Sequence, residues 1–175
     1  QLHLYGLLGP GGVHSHVNHQ KALLSLAKSM GLNKVFVHLF TDGRDTMPHS
    51  GLEFARDLLD FMQAEEIGAV ASVIGRYYAM DRDKRWERTK LAYDLLTKGI
   101  GTPEPDALTA IQHAYDAGVT DEFIKPAVIV KADASPVATI GAGDAIICFN
   151  FRSDRCRQIT RAFTMPDFAG FERTM

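Results

Sequence analysis

Val35-Phe36-Val37-His38-Leu39-Phe40-Thr41-Asp42-Gly43-Arg44-Asp45 is an apolar run that ends abruptly in a dense polar turn. The run predicts a buried strand, and the residues just past it carry the chemistry. The same event occurs three more times. Leu4–Leu8 leads through a glycine turn to His14, and Val70–Ile74 runs into Gly75-Arg76 with Arg82 six residues on. Ala145–Phe149 runs into Asn150-Phe151-Arg152-Ser153-Asp154-Arg155. In open α/β sheets, ligands bind beyond the carboxyl ends of the parallel strands. Four runs that deliver basic or acid/base side chains at that end predict one shared anion pocket.

The segments between the runs support this reading. From Val17 to Met30 the residues Ala22, Leu23, Leu26, Ala27 and Met30 recur at helical spacing, and Gly31 closes the helix. Pro48 and Ser50 open a second helix with the face Leu52, Ala55, Leu58, Leu59 and Met62, ended by Gly68. A β-α-β-α-β order with short loops predicts parallel strands and right-handed crossovers. The middle of the chain is less regular. A helix from Lys84 to Lys98 is predicted, with Trp86, Leu91, Tyr93, Leu95 and Leu96 facing inward. Pro103 and Pro105 break the chain, Asp106 caps a helix over 107–117 ended by Gly118, and Pro126 precedes the apolar run Ala127–Val130. Val137–Ile140 and Ala145–Phe149 are expected as a hairpin or as neighbouring strands across Gly141-Ala142-Gly143-Asp144, followed by a helix over 154–163. The fold class is therefore α/β: a mainly parallel sheet flanked by helices on both faces, with its site at the C-terminal ends of the strands. The tail Pro166–Met175 has no closing element, which suggests a piece of something longer.

Composition narrows the function. Of 175 residues, 46% are hydrophobic and 23% charged, and the formal net charge is −2. That supports one soluble domain and argues against a general nucleic-acid or membrane-surface binder. No apolar run approaches the roughly 18 residues of a membrane span. The chain starts directly on a strand-like run, so no signal peptide is expected. Cys148 and Cys156 fit no common zinc pattern and read as two reduced cysteines, so a cytoplasmic protein is expected.

Each polar cluster has a plain reading beside a functional one. Gly9-Pro10-Gly11-Gly12-Val13-His14-Ser15-His16 is either a forced turn or a glycine loop that brings backbone N–H groups to an anion. It lacks the Walker lysine and the full dinucleotide fingerprint. His14, His16 and His19 have no nearby carboxylate or cysteine, so one histidine donating to a phosphate or hydroxyl is favoured over a metal cluster. Thr41–Thr46 is either a turn whose Asp42 and Thr46 bond the backbone or a presentation of Arg44 and Asp45 to a ligand. Between Gly75 and Arg88, four arginines are nearly balanced by acids, so Arg85 and Arg88 read equally as a solvated helix start. Asp154 is expected to point away and cap a helix, while Arg152 and Arg155, one turn apart, face one ligand. Together Arg44, Arg76, Arg82, Arg152 and Arg155, with His14 and Asp45, suit a small ligand bearing two anionic groups and a hydroxyl.

Four motifs carry a resemblance over essentially the whole chain. They are Gly-Gly-Val-His-Ser at 11–15, Thr-Asp-Gly-Arg-Asp at 41–45, Gly-Arg-Tyr-Tyr-Ala-Met-Asp-Arg-Asp at 75–83 and Asn-Phe-Arg-Ser-Asp-Arg at 150–155. In this order they resemble the cofactor-independent (2,3-bisphosphoglycerate-independent) phosphoglycerate mutases, as do Trp86-Glu87-Arg88 and Arg161-Ala162-Phe163-Thr164. The family is similar to the alkaline phosphatase superfamily. The resemblance implies a two-domain, monomeric isomerase of glycolysis and gluconeogenesis. One domain holds two divalent metals, usually manganese, and a serine phosphorylated in turn; no 2,3-bisphosphoglycerate is needed. The other, which residues 1–175 resemble, grips the glycerate part of 2- or 3-phosphoglycerate. It implies substrate contacts for His14, Arg44, Asp45, Arg76, Arg82, Arg152 and Arg155, and proton exchange with substrate hydroxyls at Asp45.

Two departures stand out. Gly9-Pro10 replaces the family's usual Ser-Asp ahead of His14. Nothing in the chain resembles the metal-binding segments or the serine, so no metal site is expected here and the chain alone is expected to lack mutase activity. The competing readings are a stand-alone binding module for small phosphorylated acids and a nucleotide-binding α/β domain, which the incomplete glycine fingerprint disfavours.

Overall fold

A computed structural model describes residues 1–173. Thr174 and Met175, the end of the tail expected to lack a closing element, lie outside the described residues. The apolar runs become β1 (Leu2–Leu7), β2 (Val35–Thr41) and β3 (Ala69–Gly75). The periodic segments between them become α1 (Val17–Ser29) and α2 (Gly51–Ala64). After the single turn α3 (Arg76–Ala79) follow α4 (Trp86–Lys98), β4 (Thr102–Glu104), α5 (Ala107–Asp116) and β5 (Ala127–Ile129). The edge strand β6 (Ala145–Cys148) and helix α6 (Arg157–Thr164) complete the order.

The sheet runs β4-β5-β3-β2-β1-β6. All neighbours are parallel except β3 and β5. Alternate residues of the strands feed two cores. Leu4, Val35, Val37, Leu39 and Val73 pack with α1, α2 and α5 on one face. Tyr5, Leu7, Phe40 and Ile74 pack with α4 and α6 on the other. Strands covered on both faces carry apolar residues on both alternations, which is why they read as near-continuous runs.

Local chemistry sets the boundaries. Asp106 accepts from the Thr109 amide at 2.8 Å and starts α5. Gly99 adopts a left-handed conformation, φ 66°, and ends α4 by donating to Leu95 and Asp94.

Four expectations are corrected. Val137–Ile140 forms no strand and no hairpin: the Val137 amide donates to Ile129, the Ile140 amide to Leu96, and β6 pairs in parallel with β1. A hairpin would have filled the sheet edge that β6 takes alone. The inner face of α4 is Thr89, Ala92, Tyr93, Leu95 and Leu96, while Leu91 is exposed and Trp86 only half-buried. The last helix begins at Arg157, because Ser153–Arg155 forms a separate 3-10 turn. Pro103 does not break the chain outright. It lies in β4 at the sheet edge, where its missing N–H is tolerated.

Candidate functional site

The C-terminal ends of β1, β2 and β3 open onto one side, and the loop after β6 closes over it. After β1, the Ser15 hydroxyl donates to the Leu7 carbonyl and the Val17 amide to Gly9, at 2.9 Å for the latter. These bonds fold the glycine loop back and bury His14. The histidines then diverge: the His16 ring accepts from the Asn18 amide as the cap of α1, and His19 meets Phe151 edge-on. Only His14 points into the site.

After β2, Asp42 Oδ1 accepts from the amides of Arg44 and Asp45 at 3.1 and 3.0 Å, and Thr46 Oγ1 accepts from the Gly43 amide. Gly43 sits at φ +67°, and a Cβ there would lie 2.9 Å from Asp121 Cβ. The plain reading of this turn therefore holds for Asp42 and Thr46, and the turn also presents Arg44 and Asp45. Directly after β3, Arg76 is 3% exposed and donates to Asp42 and to Asp45, each at 2.6 Å.

These residues border a cavity of about 500 Å³. Six arginines line it: Arg44, Arg76, Arg82, Arg85, Arg88 and Arg155. Against them stand Asp81, Asp83 and Glu122, which leaves the wall net positive. Arg155 feels the crowding. Burial and the guanidiniums of Arg76, Arg82 and Arg44 hold its pKa below the usual arginine value. Arg44 is 57% exposed and reaches Glu122 only at 3.5 Å, so its fork stays open to a ligand.

His14 and Asp45 lie beside that wall, His14 Nε2 being 3.8 Å from Asp45 Oδ2. Burial raises the Asp45 carboxyl, but the Arg76 hydrogen bond and charge outweigh it and hold the group below the usual carboxylate range. Burial and Arg76 lower His14, so its imidazole is neutral near pH 7. The arrangement supplies an ionised acceptor and a neutral imidazole next to a cluster of cationic forks.

Asp154 is where the sequence misled. It does not point away: its carboxylate lies 2.8 Å from Arg82, 3.1 Å from Arg152 Nε and 3.7 Å from His14 Nδ1. Ser153–Arg155 is a 3-10 turn and not the start of a longer helix, which turns Asp154 inward. His14 Nδ1 is buried and has no hydrogen-bond partner in the protein, and Asp154 Oδ1, also buried, has only the ion-pair contact with Arg152 Nε. Arg152 borders the cavity through Asp154 and does not line it; Arg155 lines it and donates to the Met80 carbonyl at 3.1 Å.

Sequence reasoning also missed an aromatic wall. Arg88 stacks on Tyr77 at 3.8 Å from the ring centroid, and Tyr77 packs on Phe123 at 5.0 Å. Glu122 and Phe123 come from a segment without periodicity, and only tertiary packing brings them to the site. Tyr77 and Arg88 stand in or beside quoted motifs, so proximity to Arg76 and Arg85 was the available signal.

Comparison with known proteins agrees with the motifs. The family model described as the BPG-independent PGAM N-terminus matches residues 1–175. A 2,3-bisphosphoglycerate-independent phosphoglycerate mutase from Thermomicrobium roseum is 58% identical over 170 residues, covering 97% of this chain and 32% of that protein. One from Clostridioides difficile is 55% identical over 172 residues, covering 98% and 34%. The chain thus spans about a third of the length of the curated relatives it matches. Crystal structures of Leishmania mexicana phosphoglycerate mutase at low cobalt concentration include a chain that superposes with a TM-score of 0.93 at 35% identity. That match covers 97% of this chain and 32% of the Leishmania chain.

Proposed function

This chain belongs to the BPG-independent PGAM N-terminus family, and from that membership we propose that residues 1–175 are the substrate-gripping α/β domain of a longer two-domain phosphoglycerate mutase. Its substrate is 2- or 3-phosphoglycerate, interconverted without 2,3-bisphosphoglycerate. The observation that carries the proposal is the convergence of Arg44, Arg76, Arg82 and Arg155 on one cavity, with Asp45 and His14 beside it. A ligand with a phosphate, a carboxylate and a hydroxyl matches that set.

The geometry supports the following roles. Arg44, Arg82 and Arg155 clamp the anionic groups through charge-assisted forks, and Arg152 adds its charge from behind Asp154. Arg76 is already committed to Asp42 and Asp45, so it aims Asp45 and adds its field to the floor of the cavity. Ionised Asp45 accepts a hydrogen bond from a substrate hydroxyl. Its uptake of a proton requires the Arg76 contact to loosen, because that contact holds the carboxyl ionised. His14, neutral and unpartnered at Nδ1, donates or accepts at the ligand according to its tautomer.

Phosphoryl transfer itself needs a nucleophile and, in this family's chemistry, divalent metal. Among the described residues no group of three or more His, Cys, Asp or Glu is placed to hold a metal ion. The residues present therefore do not fit the two manganese ions, which together with the phosphorylated serine belong to the remainder of the enzyme in this proposal. The 175-residue chain alone binds and orients substrate and has no mutase activity; metal-dependent turnover by the purified chain would refute this. No helix among the described residues is long and apolar enough to cross a membrane. The proposed setting is the cytoplasm, with the enzyme a monomer. The deciding experiment is calorimetric titration of the chain with 3-phosphoglycerate, ATP and NAD in turn. Saturable binding of 3-phosphoglycerate alone is expected, and preferential nucleotide binding would sink the proposal.

A further inference from the structure

Cys148 ends β6 and Cys156 immediately precedes α6. Between them runs the segment that carries Asn150, Arg152 and Arg155. Both cysteines are free thiols, Cys156 buried and Cys148 half-buried. Their sulfurs lie 3.4 Å apart, with Cys148 donating to Cys156. The Asn150 amide nitrogen donates to Cys156 Sγ at 3.2 Å, and its oxygen accepts from the Leu7 amide at 2.9 Å. One side chain thus ties the Cys156 sulfur to the exit of β1.

The two thiols are not equivalent. The donors Cys148 and Asn150 lower Cys156 and favour its thiolate, despite burial. The bond to Cys156, with burial, pushes Cys148 up and keeps its proton. An attacking thiolate beside a proton-bearing resolving thiol is the pairing that oxidation of a dithiol requires.

We propose that Cys148 and Cys156 are an oxidation site, a reversible dithiol that hydroperoxides convert to a disulfide, and that closing it weakens anion binding by the Arg152–Arg155 segment. The Cys156 thiolate attacks the peroxide, the O–O bond breaks, and a sulfenic acid forms as an alcohol or water leaves. The Cys148 sulfur then attacks the sulfenic sulfur, its proton passes to the departing hydroxyl, and water is released. Two thiols lose two electrons and two protons, and the hydroperoxide becomes an alcohol (or water) and one further water.

The structural consequence follows from the bond length. A disulfide is about 2.05 Å long, so the sulfurs must close by roughly 1.3 Å from their 3.4 Å separation. A sulfur in a disulfide accepts hydrogen bonds more weakly than a thiolate, so Asn150 loses its hold. Motion of this segment reaches His14 directly, because the Phe151 and Arg152 amides donate to the His14 carbonyl at 2.9 and 3.4 Å. The cross-link itself does not depend on what the cavity binds. Its effect on binding rests on the phosphoglycerate reading.

The test treats the whole chain with hydrogen peroxide, maps its peptides by mass, and titrates 3-phosphoglycerate into the reduced, oxidised and re-reduced forms. A Cys148–Cys156 cross-linked peptide is expected, two hydrogens lighter than the reduced pair. Binding is expected to weaken about tenfold and to recover with dithiothreitol. Cys148→Ser should stop at sulfenic or sulfinic acid at Cys156; peptide mapping of the wild-type chain decides the same point if that variant does not fold. Both thiols surviving, or Cys156 over-oxidised without a cross-link in the wild type, would overturn the site. A cross-linked protein that binds as tightly as the reduced one would overturn the switch. Failure of the reduced form to bind 3-phosphoglycerate would count against the functional reading, while the peptide map still judges the dithiol.

Discussion

Arg76 Nη1 lies 2.6 Å from Asp45 Oδ2, and the same nitrogen lies 2.6 Å from Asp42 Oδ1. One guanidinium thus joins the end of β3 to the turn after β2, and it does so in a nearly dry place: Arg76 and Asp42 side chains are 3% and 4% exposed. Removing one partner of a buried pair leaves the other uncompensated. Arg76→Met should therefore destabilise the fold by about 3–5 kcal/mol. Arg76→Lys keeps the charge but not the planar fork, so it should fall between. Urea denaturation measures both. A midpoint for Arg76→Met equal to the wild type would show that the pair does not hold the site together.

Arg44 and Arg152 are the opposite case, with side chains 57% and 49% exposed. Their alanine variants should keep stability within about 0.5 kcal/mol, as surface changes do. Arg44→Ala loses a charge-assisted contact to a ligand, on the order of 1.5–3 kcal/mol, whereas Arg152→Ala loses a positive charge held behind Asp154. Binding of 3-phosphoglycerate should weaken by roughly 10- to 100-fold in Arg44→Ala and by less in Arg152→Ala. Calorimetry paired with thermal melts separates the two effects, and unchanged binding in both variants would contradict the pocket.

The contrast between Arg76 and Arg44 marks what the sequence could convey. Strand runs and periodic helices declared the β-α-β-α-β half, because burial on both faces leaves an apolar pattern that composition preserves. The placement of the polar clusters past each strand end was equally visible, since topology fixes where a parallel strand delivers its next residue. What did not show was pairing across the fold. Nothing local distinguishes an arginine neutralised by Asp42 and Asp45 from one left open. Asp154 looked like a cap because its neighbours are helical in pattern, yet the chain makes a 3-10 turn there and aims it at His14 and Arg82. Val137–Ile140 has strand composition, but its amides bond to Ile129 and Leu96 and not to β6. Glu122 and Phe123 are placed by packing alone.

That packing can be tested at Gly75. A Cβ built there would clash with the Glu122 carbonyl oxygen and lie 2.7 Å from the Ile124 amide nitrogen. The Gly75 amide also donates to the Ile124 carbonyl at 2.7 Å. Close backbone approach, and not a special backbone angle, is what requires glycine here. Gly75→Ala should cost about 1–3 kcal/mol by overpacking. Because Glu122 and Phe123 line the cavity, a shift of their backbone should weaken 3-phosphoglycerate binding as well. A variant as stable as the wild type, with unaltered affinity, would mean the 121–123 turn yields without consequence.

The last prediction concerns acid. His38 is fully buried within the sheet, with His3 at 3.0 Å on one side and Ser72 Oγ at 2.8 Å on the other. Burial and the neighbouring His3 push its pKa down to about 3. Burial also lowers His3, despite Asp144 beside it. In the unfolded chain both ionise near the ordinary histidine value of about 6.5. Below that pH the unfolded chain takes up protons that the folded one refuses. Stability is then complete above about pH 6.5 and falls as pH drops towards the folded values, by about 1.4 kcal/mol per pH unit for each histidine that stays neutral. Asp45 and Asp154, held low by Arg76 and Arg82 against the opposing effect of burial, add a separate loss. Their contribution is present above the unfolded carboxylate value, about pH 4, and disappears as pH falls through the folded ones. Urea midpoints measured at pH 7, 6 and 5 isolate the histidine part. His38→Gln should flatten the slope over that range by about one proton's worth, whatever it costs in stability at pH 7. An unchanged slope in that variant would place the acid sensitivity elsewhere.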